Sequence, residues 1–220
     1  MPRPPSLALR LPAIIALALP PAVANAQTPS APPDEQPPSP LQSAHFRAEL
    51  TGGFGLGSNR VASGQSLNTY GAAAGARLGY TFAFPLYLGL RYDHFFGSSE
   101  QYPLPLVALT TYHVGATFLG FALGAELRLG PAYLRPELGV GFLAVSSGAS
   151  CSPVAGSFAD LASQICAANT SSSTSWALSA VPGLPIGLHV GRFYGFVEPE
   201  YYLRKSADGY AVVAAIGAAL

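Results

Sequence analysis

The chain has 220 residues, 50% of them hydrophobic and only 10% charged, where an average soluble domain carries roughly 25% charge. Eleven basic and eleven acidic residues cancel, so no net field draws the chain to nucleic acid or anionic lipid, and an ordinary cytosolic enzyme is disfavoured with them. No segment offers the roughly 20 unbroken apolar residues of a spanning helix, while 24 glycines point towards β structure.

Residues 1–26 read as a signal peptide. Arg3 and Arg10 form a positive start, Leu11 to Leu19 a short apolar stretch, and Ala24-Asn25-Ala26 a small-residue cleavage site. Pro12, Pro20 and Pro21 would break a buried helix there. Removing Arg3 and Arg10 leaves nine basic against eleven acidic residues. Residues 27–43 are rich in Pro, Ser, Gln and acid, with no apolar spacing that could form a core. They are expected to be an extended periplasmic linker.

From residue 44 onward the pattern takes the two-residue period of a strand. Phe46, Leu50, Phe54 and Leu56 share one face, opposite Arg47, Glu49 and Thr51. A second segment sets Tyr70, Ala72, Ala74, Ala76, Leu78, Tyr80, Phe82 and Phe84 against Gly71, Gly75, Arg77 and Gly79. The third sets Leu86, Leu88, Leu90 and Tyr92 against Tyr87, Arg91 and Asp93. The fourth sets Leu119, Phe121, Leu123, Leu127 and Leu129 against Gly120, Glu126 and Arg128, and fits the phase poorly above, from about Tyr112. A bulge is expected there. The fifth sets Leu134, Leu138, Val140 and Phe142 against Arg135, Glu137 and Gly141. Further segments run from Trp176 to Leu188, Phe193 to Leu203 and Tyr210 to Leu220.

Eight such strands could form a soluble sandwich, a lipocalin-like barrel or a membrane barrel. A soluble sheet points its apolar face at a core and carries many charges outside. Here the second face is mainly Gly and Ala, with Arg47, Arg77, Arg91, Arg128 and Arg135 balanced by Glu49, Asp93, Glu126, Glu137, Glu198 and Glu200. Balanced charges on one face suit a narrow, side-chain-filled lumen. Short connections at Pro85, Gly130-Pro131 and Gly191 alternate with mostly longer ones at 58–69, 97–111 and 146–175, and a short one at 205–209. This is the arrangement of periplasmic turns and external loops. Tyr70, Tyr92, Trp176, Tyr201 and Tyr210 are expected outside at the outer rim, and Phe82, Phe84 and Phe193 at the periplasmic rim. The fold class is therefore an all-β, eight-stranded antiparallel up-and-down transmembrane β-barrel over residues 44–220, in the bacterial outer membrane.

Two short motifs, Leu134-Arg135-Pro136-Glu137-Leu138 and Val197-Glu198-Pro199-Glu200-Tyr201, resemble strand motifs of the small eight-stranded outer-membrane barrel family, which includes the OmpA-like and OmpX-like barrels. The terminal Tyr210-to-Leu220 segment resembles the sorting signal read by the barrel-assembly machinery, although the family usually ends in an aromatic rather than a leucine. The resemblance implies outer-membrane lipid and that machinery as partners, a monomer, and no cofactor.

Cys151 and Cys166 lie in the longest loop. In an oxidising compartment a disulfide is expected, worth roughly 3 kcal/mol for a loop of about 15 residues. A metal site would want a nearby histidine, which this pair lacks. A short helix is expected between them, from Phe158 to Ala168. Asp93, His94, Ser98 and Ser99 near the outer rim raise a lipid-modifying reading. Asp93 and His94 alternate between faces, however, and the spacing does not bring a base to a nucleophile. The expected role is non-enzymatic, structural or through loop interactions. A narrow channel or carrier for small or hydrophobic solutes is the alternative, and a lipid-modifying enzyme the second.

Overall fold

The computed structural model describes residues 45–60, 66–83, 85–104, 108–153, 159–204 and 208–220. The signal peptide and the Pro-rich linker lie outside the described residues, as does Phe84. In chain order the strands are β1 (His45–Leu56), β2 (Ser58–Arg60), β3 (Ser66–Asn68), β4 (Gly71–Thr81), β5 (Leu86–Phe95), β6 (Ser99–Leu104), β7 (Ala108–Ala125), β8 (Leu127–Leu129), β9 (Ala132–Leu134) and β10 (Glu137–Pro153). Helix α1 (Ala159–Asn169) follows, then β11 (Ser171–Gly183), β12 (Ile186–Val190), β13 (Phe193–Tyr202) and β14 (Gly209–Ala219).

Antiparallel pairing runs β1–β4–β5–β7–β10–β11–β13–β14, and β14 returns to β1 with Leu56 opposite Tyr210 and Arg47 opposite Ala219. The ring of eight strands is thus closed, and closure removes the sheet edge that lipid could not satisfy. Three strands continue past short breaks: β7 into β8 at Glu126, β9 into β10 at Arg135-Pro136, and β11 into β12 at Leu184-Pro185. Register survives each break: Leu127 opposite Leu134 continues Gly124 opposite Glu137, and Ile186 opposite Val197 continues Gly183 opposite Glu200.

The barrel is built inside out, as the alternation requires. Leu50, Leu78, Leu90, Phe121, Val140 and Leu178 point outward and are exposed, while Arg47, Arg77, Arg91 and Arg135 point inward and are buried. The glycines on the inner face make room for large lumen side chains: a Cβ on Gly79 would come within 2.3 Å of the Tyr87 ring. Tyr92, Trp176 and Tyr210 lie outside at one end, and Phe193 at the other.

Four expectations need correction. Tyr70 is not on the outer girdle; it is 0% exposed and inside the barrel. Gly71, at φ +50, inverts the alternation where the strand begins, so the two-residue period cannot be extrapolated through it. The bulge expected on the fourth strand is not there, since β7 keeps one register with β10 from Ala108 to Gly124. The slip lies on its other neighbour. Phe95 pairs with Ala116 but Ser99 pairs with His113, one residue out of step, around left-handed Gly97. Segments 97–111 and 146–175 are not simple loops: Ser99–Leu104 and 108–111 are strand in the first, and 146–153 and 171–175 are strand in the second, on either side of α1. Finally, the turn between β4 and β5 is longer than Pro85 alone, closing with the Phe82 amide on the Leu86 carbonyl at 3.0 Å.

Candidate functional site

Two places gather the residues that could carry function: the lumen and the wall above the outer rim. Strand alternation on β1, β4, β5, β7–β8, β9–β10 and β13 aims the lumen charges at one axis, where they form three groups. Nearest the periplasm, Arg47 grips Glu126 at 2.7 and 2.9 Å and donates to His45 at 3.1 Å. Arg128 reaches the same carboxylate at 2.8 Å from a side chain that is 25% exposed. The Arg47 guanidinium also lies 5.0 Å from the Tyr194 ring centre.

In the next group Arg135 donates to Glu137 at 2.9 Å and Glu49 at 3.3 Å, with its guanidinium 3.9 Å over the Tyr87 ring. Tyr194 donates to Glu49 at 3.0 Å. Above it, Arg77 holds Glu198, Glu200 at 2.6 Å and Glu137 at 3.4 Å. Arg91 holds Asp93 at 2.5 Å, Glu200 at 2.9 Å and the Tyr202 hydroxyl at 3.1 Å. These two upper groups share Glu137 and act as one cluster. It contains five carboxylates (Glu49, Asp93, Glu137, Glu198, Glu200) and three guanidiniums (Arg77, Arg91, Arg135).

The structure therefore brings the lumen residues named above into direct contact, and all but Arg128 are buried. Buried ion pairs of this kind gain little net stability, but each partner is costly to remove. Sequence reasoning missed what closes the lumen above them. Tyr70, Phe95, Phe118, Leu143 and Tyr202 form an apolar cluster, with Tyr70 5.1 Å from Phe95 and 5.3 Å from Tyr202 between ring centres. Tyr202 continues the Glu198, Glu200 alternation, so its inward direction was available. Phe95 likewise continues the Arg91, Asp93 alternation, whereas Tyr70 borders left-handed Gly71, where the period fails.

The second site begins at the row His94, Thr117, Ala144 and Trp176, which are register partners on β5, β7, β10 and β11. Above it β7 runs back to Ala108, β10 on to Pro153, and β11 down from Ser171. Nine residues of β7 in this stretch correspond to about 30 Å of strand. Helix α1 packs on β10 through Ala162 and Cys166, and Cys166 bonds Cys151, with Cα atoms 4.9 Å apart. Ser171 to Trp176 are exposed on both faces.

The rim histidine and its neighbour Asp93 face opposite sides of the wall. His94 shares a 2.9 Å hydrogen bond with Thr117 and packs edge-on against Phe96, whereas Asp93 faces the lumen and bonds Arg91. No group of three or more His, Cys, Asp or Glu side chains with metal-holding geometry occurs among the described residues.

No family model matches the chain, and no curated protein does. Among solved structures it is similar to Ail, the attachment invasion locus protein of Yersinia pestis, at 10% identity, covering 80% of this chain and 99% of that one, with a TM-score of 0.42. It is similar to Neisserial surface protein A at 13% identity, covering 81% and 99%, TM-score 0.46. The N-terminal barrel domain of Pseudomonas aeruginosa OprF follows at 13% identity, 80% and 99%, TM-score 0.38. At such identities, function has to be argued from this chain's own residues.

Proposed function

We infer that this is a bacterial outer-membrane β-barrel whose lumen is plugged and whose work is done by the stapled wall above the outer rim. The observation that carries the reading is the division of labour along the strands. Through the apolar belt the interior is filled by paired charges and closed by the Tyr70–Phe95–Tyr202 cluster. Beyond the belt, β7, β10 and β11 continue as a hydroxyl-rich sheet braced by α1 and the Cys151–Cys166 bond. An exposed surface held by a rigid scaffold is the usual place for recognition. The role is non-enzymatic interaction by a monomer embedded in outer-membrane lipid, inserted by the barrel-assembly machinery, without a cofactor.

Cells expressing the chain test this, beside a variant in which 146–175 is replaced by a tight turn. Two readouts are scored: adhesion to extracellular-matrix protein or to sister cells, and influx of a small periplasmic reporter substrate. Adhesion gained by the full chain and lost in the variant, with influx unchanged, is the expected result. Influx raised by both proteins, with adhesion unchanged, would favour the narrow channel or carrier instead.

A further inference from the structure

The outward face of the wall above the rim is polar and ringed with aromatics, yet uncharged. The last apolar row of the belt is Tyr92, Leu119, Phe142 and Leu178, register partners that are all exposed. One row higher stand His94, Thr117, Ala144 and Trp176, so the face begins where hydrocarbon ends. Beyond them the outward positions are the alternate residues of β7 back to Leu109, of β10 on to Ser152 and of β11 up to Ser172. Phe96, and Ser99, Gln101 and Pro103 of β6, complete the face. None of these outward residues is Asp, Glu, Lys or Arg, whereas roughly one residue in four is charged in an average soluble domain.

Rings and hydroxyls surround a floor of small residues. Thr117 lies opposite Ala144, Gly115 opposite Ser146, and His113 opposite Gly148. Gly115, Ala144 and Gly148 are buried, while Ser146 and His113 are exposed. The His113 ring occupies the space that a Cβ on Gly148 would need. His94 and Phe96 pack edge-on at one side, with ring centres 4.8 Å apart, and exposed Trp176 and Thr174 stand at the other. The patch spans three strand spacings and two rows, roughly 14 Å each way. The inner face of the same sheet is taken up by α1, which is bonded to Cys151 on the opposite alternation.

An anionic headgroup calls for Arg or Lys, and this face offers neither. A neutral sugar presents C–H faces that stack on aromatic rings, and hydroxyls that exchange hydrogen bonds with Ser, Thr and imidazole. Acyl chains packed on Leu119, Phe142 and Leu178 would hold their own headgroup at the height of His94 and Trp176. We propose that this face binds the neutral sugar headgroup of a glycolipid in the surrounding outer leaflet. The proposal rests on reading this wall as the working surface, but its readout is separate from adhesion.

Trp176 is the chain's only tryptophan, so its fluorescence reports on the face directly. The test uses the full chain folded in phosphatidylcholine vesicles, with digalactosyldiacylglycerol added stepwise as probe. Phosphatidylglycerol is the anionic counterpart, and free melibiose the untethered sugar. The glycolipid is expected to give a saturable change, half-complete at a mole fraction about tenfold below that of phosphatidylglycerol. His113→Ala and Thr174→Ala should each raise half-saturation about fivefold, as the loss of one hydrogen bond would. Tyr210→Ala, on the same rim but off this face, should leave it unchanged. Heat-modifiable migration shows that each variant is folded; should one fail to fold, the other decides. An equal response to phosphatidylglycerol, a response that rises without saturating, or unchanged half-saturation in the folded variants overturns the proposal. An equal response to melibiose at the same bulk concentration overturns the leaflet as its source. A glycolipid failure with adhesion intact would leave the interaction reading standing.

Discussion

At the residue scale, environment decides what each charge contributes. Arg77 is enclosed by Glu137, Glu198 and Glu200, so Arg77→Ala strands several buried carboxylates at once. The expected loss is about 3–5 kcal/mol, seen as a lower urea midpoint for unfolding from lipid vesicles. Arg128 shares Glu126 with Arg47 and is partly exposed, so Arg128→Ala should cost less than about 1 kcal/mol. Equal losses would mean that the lumen is hydrated and the pairs are screened. On the outer face, Phe121 sits mid-belt, 67% exposed, between Leu90 and Val140. Phe121→Arg should cost about 2–4 kcal/mol in bilayers, as expected of a charge at the midplane. A substitution that is neutral there would place Phe121 in water rather than hydrocarbon. The lumen charges could be read from the sequence because each lies in an unbroken two-residue period. Tyr70 could not, since left-handed Gly71 is a backbone event that apolar alternation does not record.

At the element scale, the wall above the rim is held differently from the barrel below. Helix α1 has one narrow buried face, Ala162 and Cys166, so the disulfide is its main tether. Cys151→Ser should free α1 to proteolysis at sites within Ala159–Asn169 while leaving heat-modifiable migration of the barrel unchanged. Loss of the barrel band in that variant would show that wall and barrel fold as one unit. The helix was legible within a residue or so at each end. The length of β10 and β11 was not. Ser171 to Ser175 lie above the lipid belt and are exposed on both faces, so no apolar alternation marks them as strand. Only pairing with Ala149 to Val145 does so. The slip at Gly97 was anticipated on the wrong strand because Thr110 to Val114 mix polar and apolar residues on both faces, although their own register is regular.

At the scale of the whole molecule, closure and filling are two consequences of one pattern. A sheet that is apolar outside and charged inside has no core to bury in water. Joined edge to edge from β14 to β1, it puts its apolar face into hydrocarbon and packs its charges against one another. An eight-stranded barrel has an interior only wide enough for side chains, and arginine, glutamate and tyrosine occupy it here. The most direct test of this account is the single-channel conductance of the purified chain in planar bilayers, with folded insertion verified by heat-modifiable migration. A plugged lumen gives a flat baseline at moderate voltage. Stable, ohmic conductance steps from the folded band would contradict it, because ions would then be crossing a lumen described here as closed.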